Sequence, residues 1–169
     1  MHPVTIEDCV RFHGHMCGGI AIGFAMSRFA MEQLGAQPDE RLYCRAEFQN
    51  CMTDAVQCVT GCTAGKGNLE VYPIGKRALT LVRADTGRGV RVTADIEFPE
   101  GISREEGAAL ILAADPASFC RAAEATLKIP QKEQSGFVRC AVCGEEFSKS
   151  CARQVGGQLC CPDCAERAQ

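Results

Sequence analysis

A chain of 169 residues that is 46% hydrophobic has enough apolar side chains for one ordinary domain core and a small appendage. Its 18 Lys and Arg against 21 Asp and Glu leave a formal charge of −3, which gives no support to a broad nucleic-acid-binding face. No segment reaches the uninterrupted apolar length of a membrane span, and the N-terminal sequence lacks the basic start and apolar stretch of a signal peptide. We therefore expect a cytoplasmic protein that does not engage a membrane.

Thirteen cysteines are the unusual feature of the composition. A reducing cytosol disfavours structural disulfides, so metal ligation or thiolate chemistry is the better explanation for several of them. Free cysteine is also a small buried apolar residue in many proteins. We apply that interpretation to Cys9, Cys44 and Cys120, which lie in ordinary element-forming sequence.

The first elements in chain order are two helices. Residues 5–11 are predicted to form a short helix with Thr5 as its N-cap. The apolar residues that follow Cys17 recur at helical spacing as far as Gly35, which predicts the longest helix of the chain with its N-terminus at or next to Cys17. His13, His15 and Cys17 therefore lie between two predicted helices.

Strands and helices then alternate without a regular βαβ rhythm. The patterns predict strands over 42–48, 69–73, 78–83 and 89–98, with a hairpin turn at 85–89, and a helix over 50–60 that ends at Gly61. Ser103 and Glu106 form a capping box for a helix to about Ala114, and Asp115 with Pro116 opens another helix that is predicted to reach about Leu127. This order favours an α+β core with a mixed or antiparallel sheet and flanking helices.

The composition changes near residue 129. We predict a core domain over 1–128, a polar linker over 129–138 and a small domain over 139–169. In the last of these, the pairs Cys140/Cys143 and Cys161/Cys164 bracket seventeen residues, and two such pairs are typical of a structural zinc site. A segment this short needs a bound ion because its own apolar core is too small.

A hairpin across Gly156 and Gly157 and a terminal helix after the second pair would give this zinc finger a treble-clef arrangement. Two alternatives stay open at this stage. The four thiols could instead be a redox dithiol pair or disulfides, and Cys160 could replace Cys161 as a ligand.

The candidate core site begins with His13, His15 and Cys17. Imidazole and thiolate are good ligands for zinc and similar metals, and in an extended stretch these three side chains would project the same way. Cys62, in a glycine-rich turn just past a predicted helix end, is the natural further ligand. We predict a second transition metal, zinc, held by these four residues, although one histidine could instead pack against the helix start. Asp54 could orient a histidine or cap its own helix.

Two segments, residues 12–19 and 54–69, resemble the FmdE family, which is named for a component of formylmethanofuran dehydrogenase. The likeness extends from about Ile6 to about Leu127, and some members of the family also carry a C-terminal zinc finger. The resemblance implies an α+β core that is commonly dimeric and a link to molybdenum or tungsten enzymes of one-carbon metabolism, including methanogenesis. It also implies that Cys58 is a core residue, because the family more often has an aliphatic residue there.

Two functions from different classes follow. In the first, the protein is an accessory, regulatory or cofactor-handling partner of such an enzyme, and the finger mediates contacts. In the second, Cys17, His15 and Cys62 form the catalytic site of a metal- or thiol-dependent enzyme that acts on a small substrate. A weaker third option is a finger that binds nucleic acid, for which the chain offers only a few basic residues: Arg139, Lys149, Arg153 and Arg167.

Overall fold

The computed structural model of the protein describes residues 4–37, 40–130 and 136–168. The chain divides into two compact units, Met1–Ile129 and Pro130–Gln169. Of the predicted linker over 129–138, residues 131–135 lie outside the described ranges, and a strand begins at Phe137. Within the described ranges, no helix combines the length and the apolar character needed to cross a membrane.

Five helices belong to the first unit: α1 (Ile6–His13), α2 (Gly18–Leu34), α3 (Cys51–Thr60), α4 (Arg104–Ala113) and α5 (Pro116–Phe119). The predicted N-caps Thr5 and Ser103 are confirmed, each within a capping box. The predicted helix ends Gly35 and Gly61 are also confirmed, and both glycines adopt the left-handed conformation. Helix boundaries were therefore readable from cap residues.

The sheet of the first unit has five strands: β1 (Leu42–Ala46), β2 (Leu69–Val71), β3 (Ala78–Arg83), β4 (Arg88–Ala94) and β5 (Cys120–Thr126). Their order is β2-β1-β3-β4-β5, in which β1 and β2 run parallel and the other neighbours antiparallel. A mixed sheet with flanking helices confirms the predicted α+β class. The main core forms where Cys44 and Leu81, paired across β1 and β3, pack with Met26 of α2.

The predicted second helix to Leu127 is wrong. After α5, residues Cys120–Thr126 form an edge strand in which every residue pairs with one of β4. Arg121, Ala122, Ala123 and Glu124 are good helix formers, so local propensity favoured a helix. Pairing with β4 satisfies the backbone polar groups of this segment, and tertiary context overrides the local preference.

The second unit is built from short elements: β6 (Phe137–Arg139), β7 (Glu146–Ser148), a 3₁₀ turn (Lys149–Cys151), β8 (Arg153–Val155), β9 (Gln158–Cys160) and α6 (Pro162–Glu166). β8 and β9 pair across Gly156 and Gly157, as predicted. The first predicted strand of that hairpin, over 146–154, is wrong, because Glu146–Ser148 pairs with β6 instead.

Candidate metal centres

Two groups of side chains bring possible metal ligands together. Cys140, Cys143, Cys161 and Cys164 form one group, and His13, Cys17 and Cys51 form the other. Within each group the ligand atoms all lie within 4.8 Å of one another. The Cys-rich groups can therefore bind metal ions. We call them the finger group and the core group.

Three helix ends converge to make the core group. His13 is the last residue of α1, Cys17 is the N-cap of α2, and Cys51 is the first residue of α3. Gly14 ends α1 with a φ of 100°, a conformation that glycine adopts without strain. The chain thus turns sharply after His13, and the extended arrangement expected for residues 13–17 does not form.

His13 is held from behind by a carboxylate. Its Nδ1 lies 2.7 Å from Oδ2 of Asp54, whose other oxygen accepts a hydrogen bond from the Gln57 amide. Because an ionised carboxylate can only accept, Nδ1 donates the proton and Nε2 of the neutral ring keeps a free lone pair. Asp54 therefore orients a histidine, one of the two roles considered for it, and metal-binding histidines commonly have such a partner.

The two thiols of the core group both lie at helix N-termini. Cys17 Sγ accepts a hydrogen bond from the Ile20 backbone N–H at 3.5 Å and lies 4.0 Å from His13 Nε2. The positive end of a helix dipole favours a thiolate. Burial, followed by contact with the Cys17 thiol, raises the pKa of Cys51. A divalent cation between the two sulfur atoms would stabilise both thiolates.

His15 and Cys62, two of the predicted core ligands, are not in this group. His15 is exposed, although its ring centroid lies 4.6 Å from that of His13. Cys62 is fully buried in the main hydrophobic core, and burial raises its pKa to about 11. The structure therefore groups Cys51, rather than Cys62, with Cys17 and His13.

Sequence reasoning left the role of Cys51 open, although two local signals pointed to it. Asn50 is a good N-cap, which makes Cys51 the first helical residue and places it one turn before Asp54 on the same helix face. Gly19 allows α2 to approach α3, since a Cβ built there would lie 2.7 Å from the Cys51 Cβ. A small residue in the first turn of α2 thus accompanies the close approach of the two thiols.

The donor set of the core group fits a transition metal. Two thiolates and one imidazole are ligands that suit zinc, and three protein ligands leave a fourth position of a tetrahedral ion for another molecule. The orientation of His13 by Asp54 is what such a site requires, because its Nε2 is left available.

The finger group is formed by a turn that follows β6 and by the start of α6. Backbone hydrogen bonds from Cys140 N–H to Glu145 O and from Gly144 N–H to Cys140 O close the turn that presents Cys140 and Cys143. Cys161 is the N-cap of α6, and its backbone N–H donates to Cys140 Sγ at 3.3 Å. Backbone N–H groups lower the pKa of Cys140 to about 6, whereas the surrounding thiols and burial raise that of Cys164 to about 12.

Two other cysteines of the second unit lie outside the finger group. Cys160 is buried beside Cys140 but is not among the four grouped thiols, whereas Cys161 is. Cys151 is exposed at the end of the 3₁₀ turn. Of the alternatives left open for the second pair, the grouping favours Cys161.

Comparison with known proteins gives one family match. The family described as "FmdE, Molybdenum formylmethanofuran dehydrogenase operon" matches residues 12–135 of the chain. That range contains the whole core group. It ends before Cys140, so the finger group lies beyond it.

Two individual proteins are similar to the chain. The crystal structure of an FmdE-like protein of tungsten formylmethanofuran dehydrogenase from Syntrophus aciditrophicus has a TM-score of 0.72 and 27% identity, over 96% of this chain and 91% of that one. A "Probable S-adenosyl-L-methionine-binding protein" from Archaeoglobus fulgidus is 45% identical over 92 residues. Those residues are 51% of this chain and 25% of the relative, so this chain spans about a quarter of that protein.

Proposed function

The chain belongs to the FmdE family, and from this premise we propose that it is a metal-binding accessory protein of a molybdenum or tungsten enzyme of one-carbon metabolism. Family membership supports a related metal-binding role. The observation that carries the proposal is the core group, in which His13 is aimed by Asp54 at the thiols of Cys17 and Cys51. The partner class is supported by the names of the family and of the similar structure, which refer to molybdenum and tungsten enzymes.

The proposal assigns zinc to both groups. Four thiolates suit a closed structural zinc site at the finger group, and the turn after β6, the β8–β9 hairpin and α6 support a treble clef. At the core group, His13, Cys17 and Cys51 would hold the ion and leave a position for a small ligand. Zinc there would supply a Lewis acid without redox chemistry of its own.

The proposal also covers assembly and location. We expect a homodimer that works in the cytoplasm beside its partner enzyme. Leu110 and Leu112 of α4 are 50% and 37% exposed, and such apolar surface on a helix favours contact with another protein. Size measurement in solution by light scattering tests the dimer.

Metal analysis of purified full-length variants tests the two sites. We expect the parent to hold about two zinc ions per chain, one for each group. Cys17→Ser and Cys51→Ser should each lose the core ion alone, and Cys140→Ser should lose the finger ion alone. Asp54→Asn should weaken core metal binding by about 10- to 100-fold. Cys62→Ala is the matched control, since it removes a buried thiol outside the group.

Cobalt substitution gives a second readout that does not depend on activity. The visible spectrum of a cobalt-loaded chain should report four thiolates at the finger group and two at the core group. If Cys62→Ala loses the core ion while Cys51→Ser retains it, the assignment of Cys51 is wrong. If neither Cys17→Ser nor Cys51→Ser changes the metal content, the core metal site is wrong altogether.

A second candidate function is a metal- or thiol-dependent enzyme that acts on a small substrate at the core group. The observation that favours it is the three-ligand set, which leaves an open position, with the exposed His15 ring beside His13. An accessory protein should show no turnover alone and should co-purify with a molybdenum or tungsten enzyme. Turnover of a small one-carbon substrate by the isolated chain, lost in Cys17→Ser, would favour the enzyme instead.

A further inference from the structure

Two cysteines beside the core group form a pair of their own. Cys9 lies one helical turn before His13 on α1, and Cys58 lies one turn after Asp54 on α3. His13 and Asp54 are hydrogen-bonded across the two helices, and the thiols of Cys9 and Cys58 are also in hydrogen-bonding contact. The two pairs are therefore successive contacts between antiparallel helices.

The pair differs from a packed core pair in its exposure. Cys9 is completely buried, whereas Cys58 is partly exposed and belongs to the edge of the same small apolar cluster. A dissolved reagent can therefore reach Cys58 but not Cys9. A reaction at Cys58 would leave the Cys9 thiol already in contact with the product.

The hydrogen bond between the thiols also assigns an order to them. Burial raises the pKa of Cys58, and the hydrogen bond from Cys9 offsets part of that rise. Burial and the neighbouring Cys58 raise the pKa of Cys9 to about 12. Cys58 is thus the thiol that ionises first, and the thiolate is the nucleophile.

We propose that Cys9 and Cys58 are a redox-reactive thiol pair that a peroxide converts to a disulfide between α1 and α3. The Cys58 thiolate attacks the peroxide oxygen, the O–O bond breaks, and Cys58 becomes a sulfenic acid while the leaving oxygen departs as water or an alcohol. The Cys9 thiol then attacks the Cys58 sulfur, and the sulfenic oxygen leaves as water. The two thiols are oxidised by two electrons, which the peroxide accepts. A reducing thiol reverses the bond by exchange.

The disulfide would fix α1 to α3 one turn from the contact that positions His13. Oxidation would therefore hold His13 against Asp54 and slow the loss of a core metal ion. This consequence rests on the proposed metal-binding function, whereas the disulfide does not. The two can be tested separately.

The test is disulfide mapping on the zinc-loaded full-length chain. The chain is treated with hydrogen peroxide, blocked with an alkylating reagent, digested without reduction and examined by mass spectrometry. We expect a linked peptide that contains Cys9 and Cys58, absent before oxidation and lost after treatment with dithiothreitol. Cys9 that stays alkylatable after Cys58 is oxidised, or Cys9 linked to a different cysteine, would overturn the proposal. No variant is needed for this measurement, so misfolding cannot obscure it.

Cys44 and Cys62 provide a matched pair in the same chain. They also interact, but both are fully buried in the main core. We expect them to stay reduced under conditions that link Cys9 to Cys58, and crosslinking at the same rate would show that exposure of Cys58 is not what permits the reaction. In Cys58→Ser, Cys9 should no longer be oxidised. If Cys9 is still oxidised in that variant, the two thiols do not react as a pair.

Metal release into a chromogenic chelator tests the consequence. The linked chain should release the core zinc more slowly than the reduced chain. Equal release rates with the crosslink in place would overturn the clamping of His13. The absence of core zinc from both forms would instead contradict the proposed metal site, so the two failures can be told apart.

Discussion

The core group and the finger group use similar ligands in opposite settings. The buried apolar residues of the finger cluster are Cys140, Cys160, Cys164 and Ala165, so cysteines make up most of it. The core group lies beside a larger apolar cluster, which contains Ile20 and Phe24, and is adjacent to a main core built from α2, α4 and the sheet. In the finger the ligands themselves are the core, whereas in the first unit they are added to a core that exists without them.

This difference separates a metal that builds structure from one that serves a site. A unit with so little apolar burial depends on its ion to fold. A site whose three ligands lie at the ends of packed helices is positioned before any ion arrives, so that ion is free to interact with a further ligand. Metal removal, pH and substitutions in the packed helices can each break this division.

The largest effect is expected at the finger. Removal of the metal by a strong chelator, or the change Cys140→Ser, should abolish the fold of residues 136–168 and leave the first unit folded, because the finger lacks an apolar core of its own. Hydrogen exchange followed by mass spectrometry measures both regions in one sample. Cys151→Ser, an exposed cysteine outside the group, is the control and should keep full protection. Retained protection of α6 after complete metal removal would contradict the division.

The next effect is an opposite dependence on pH. Burial raises the pKa of Cys9 to about 12 and those of Cys62 and Cys120 to about 11. These thiols stay protonated in the folded state at pH values where the unfolded chain has already lost their protons. The stability that they contribute is complete below the unfolded pKa near 9 and is lost as the pH rises from there toward 11. The loss should reach about 1.4 kcal/mol per pH unit for each fully shifted thiol.

Urea unfolding of the first unit at pH 8 and at pH 10, under reducing conditions, measures this loss. Cys120→Ala should show a weaker decline, because one of the shifted groups is gone. The finger should behave in the opposite way and lose its metal as the pH falls, since protons compete with the ion for thiolates. A first unit that is equally stable at both pH values would show that its cysteines are not protected by burial.

The sequence predicted best where one residue type has one dominant physical role. Thr5, Ser103 and Gly61 mark helix ends because their side chains or backbone freedom satisfy groups that the helix leaves unpaired, and each lies where it was expected. The two CxxC pairs likewise predicted the finger group, since four thiols at that spacing have few other uses. In both cases the information is local.

The failures concern contacts between distant parts of the chain. Residues 120–126 become an edge strand because β4 offers them backbone partners, which their own sequence does not reveal. Cys51 joins His13 and Cys17 because α3 packs against α1 and α2, whereas Cys62, in a turn that resembled a ligand loop, points into the core. The same packing sets Asp54 beside His13. Each case depends on tertiary packing, which no local pattern contains.

The smallest effect concerns two neighbouring glycines of α2 and tests whether the core site is set by packing. A Cβ at Gly19 would lie 2.7 Å from the Cys51 Cβ, whereas a Cβ at Gly18 would meet nothing within 4 Å. Gly19→Ala should therefore push Cys51 away from Cys17 and weaken core metal binding by roughly fivefold, about 1 kcal/mol, without removing a ligand. Gly18→Ala adds the same methyl group at the adjacent residue and should leave the affinity unchanged. Competition with a chelator of known affinity measures both variants. Equal affinities would mean that the site adjusts to the metal, and the core group would then resemble the finger more than its packed surroundings imply.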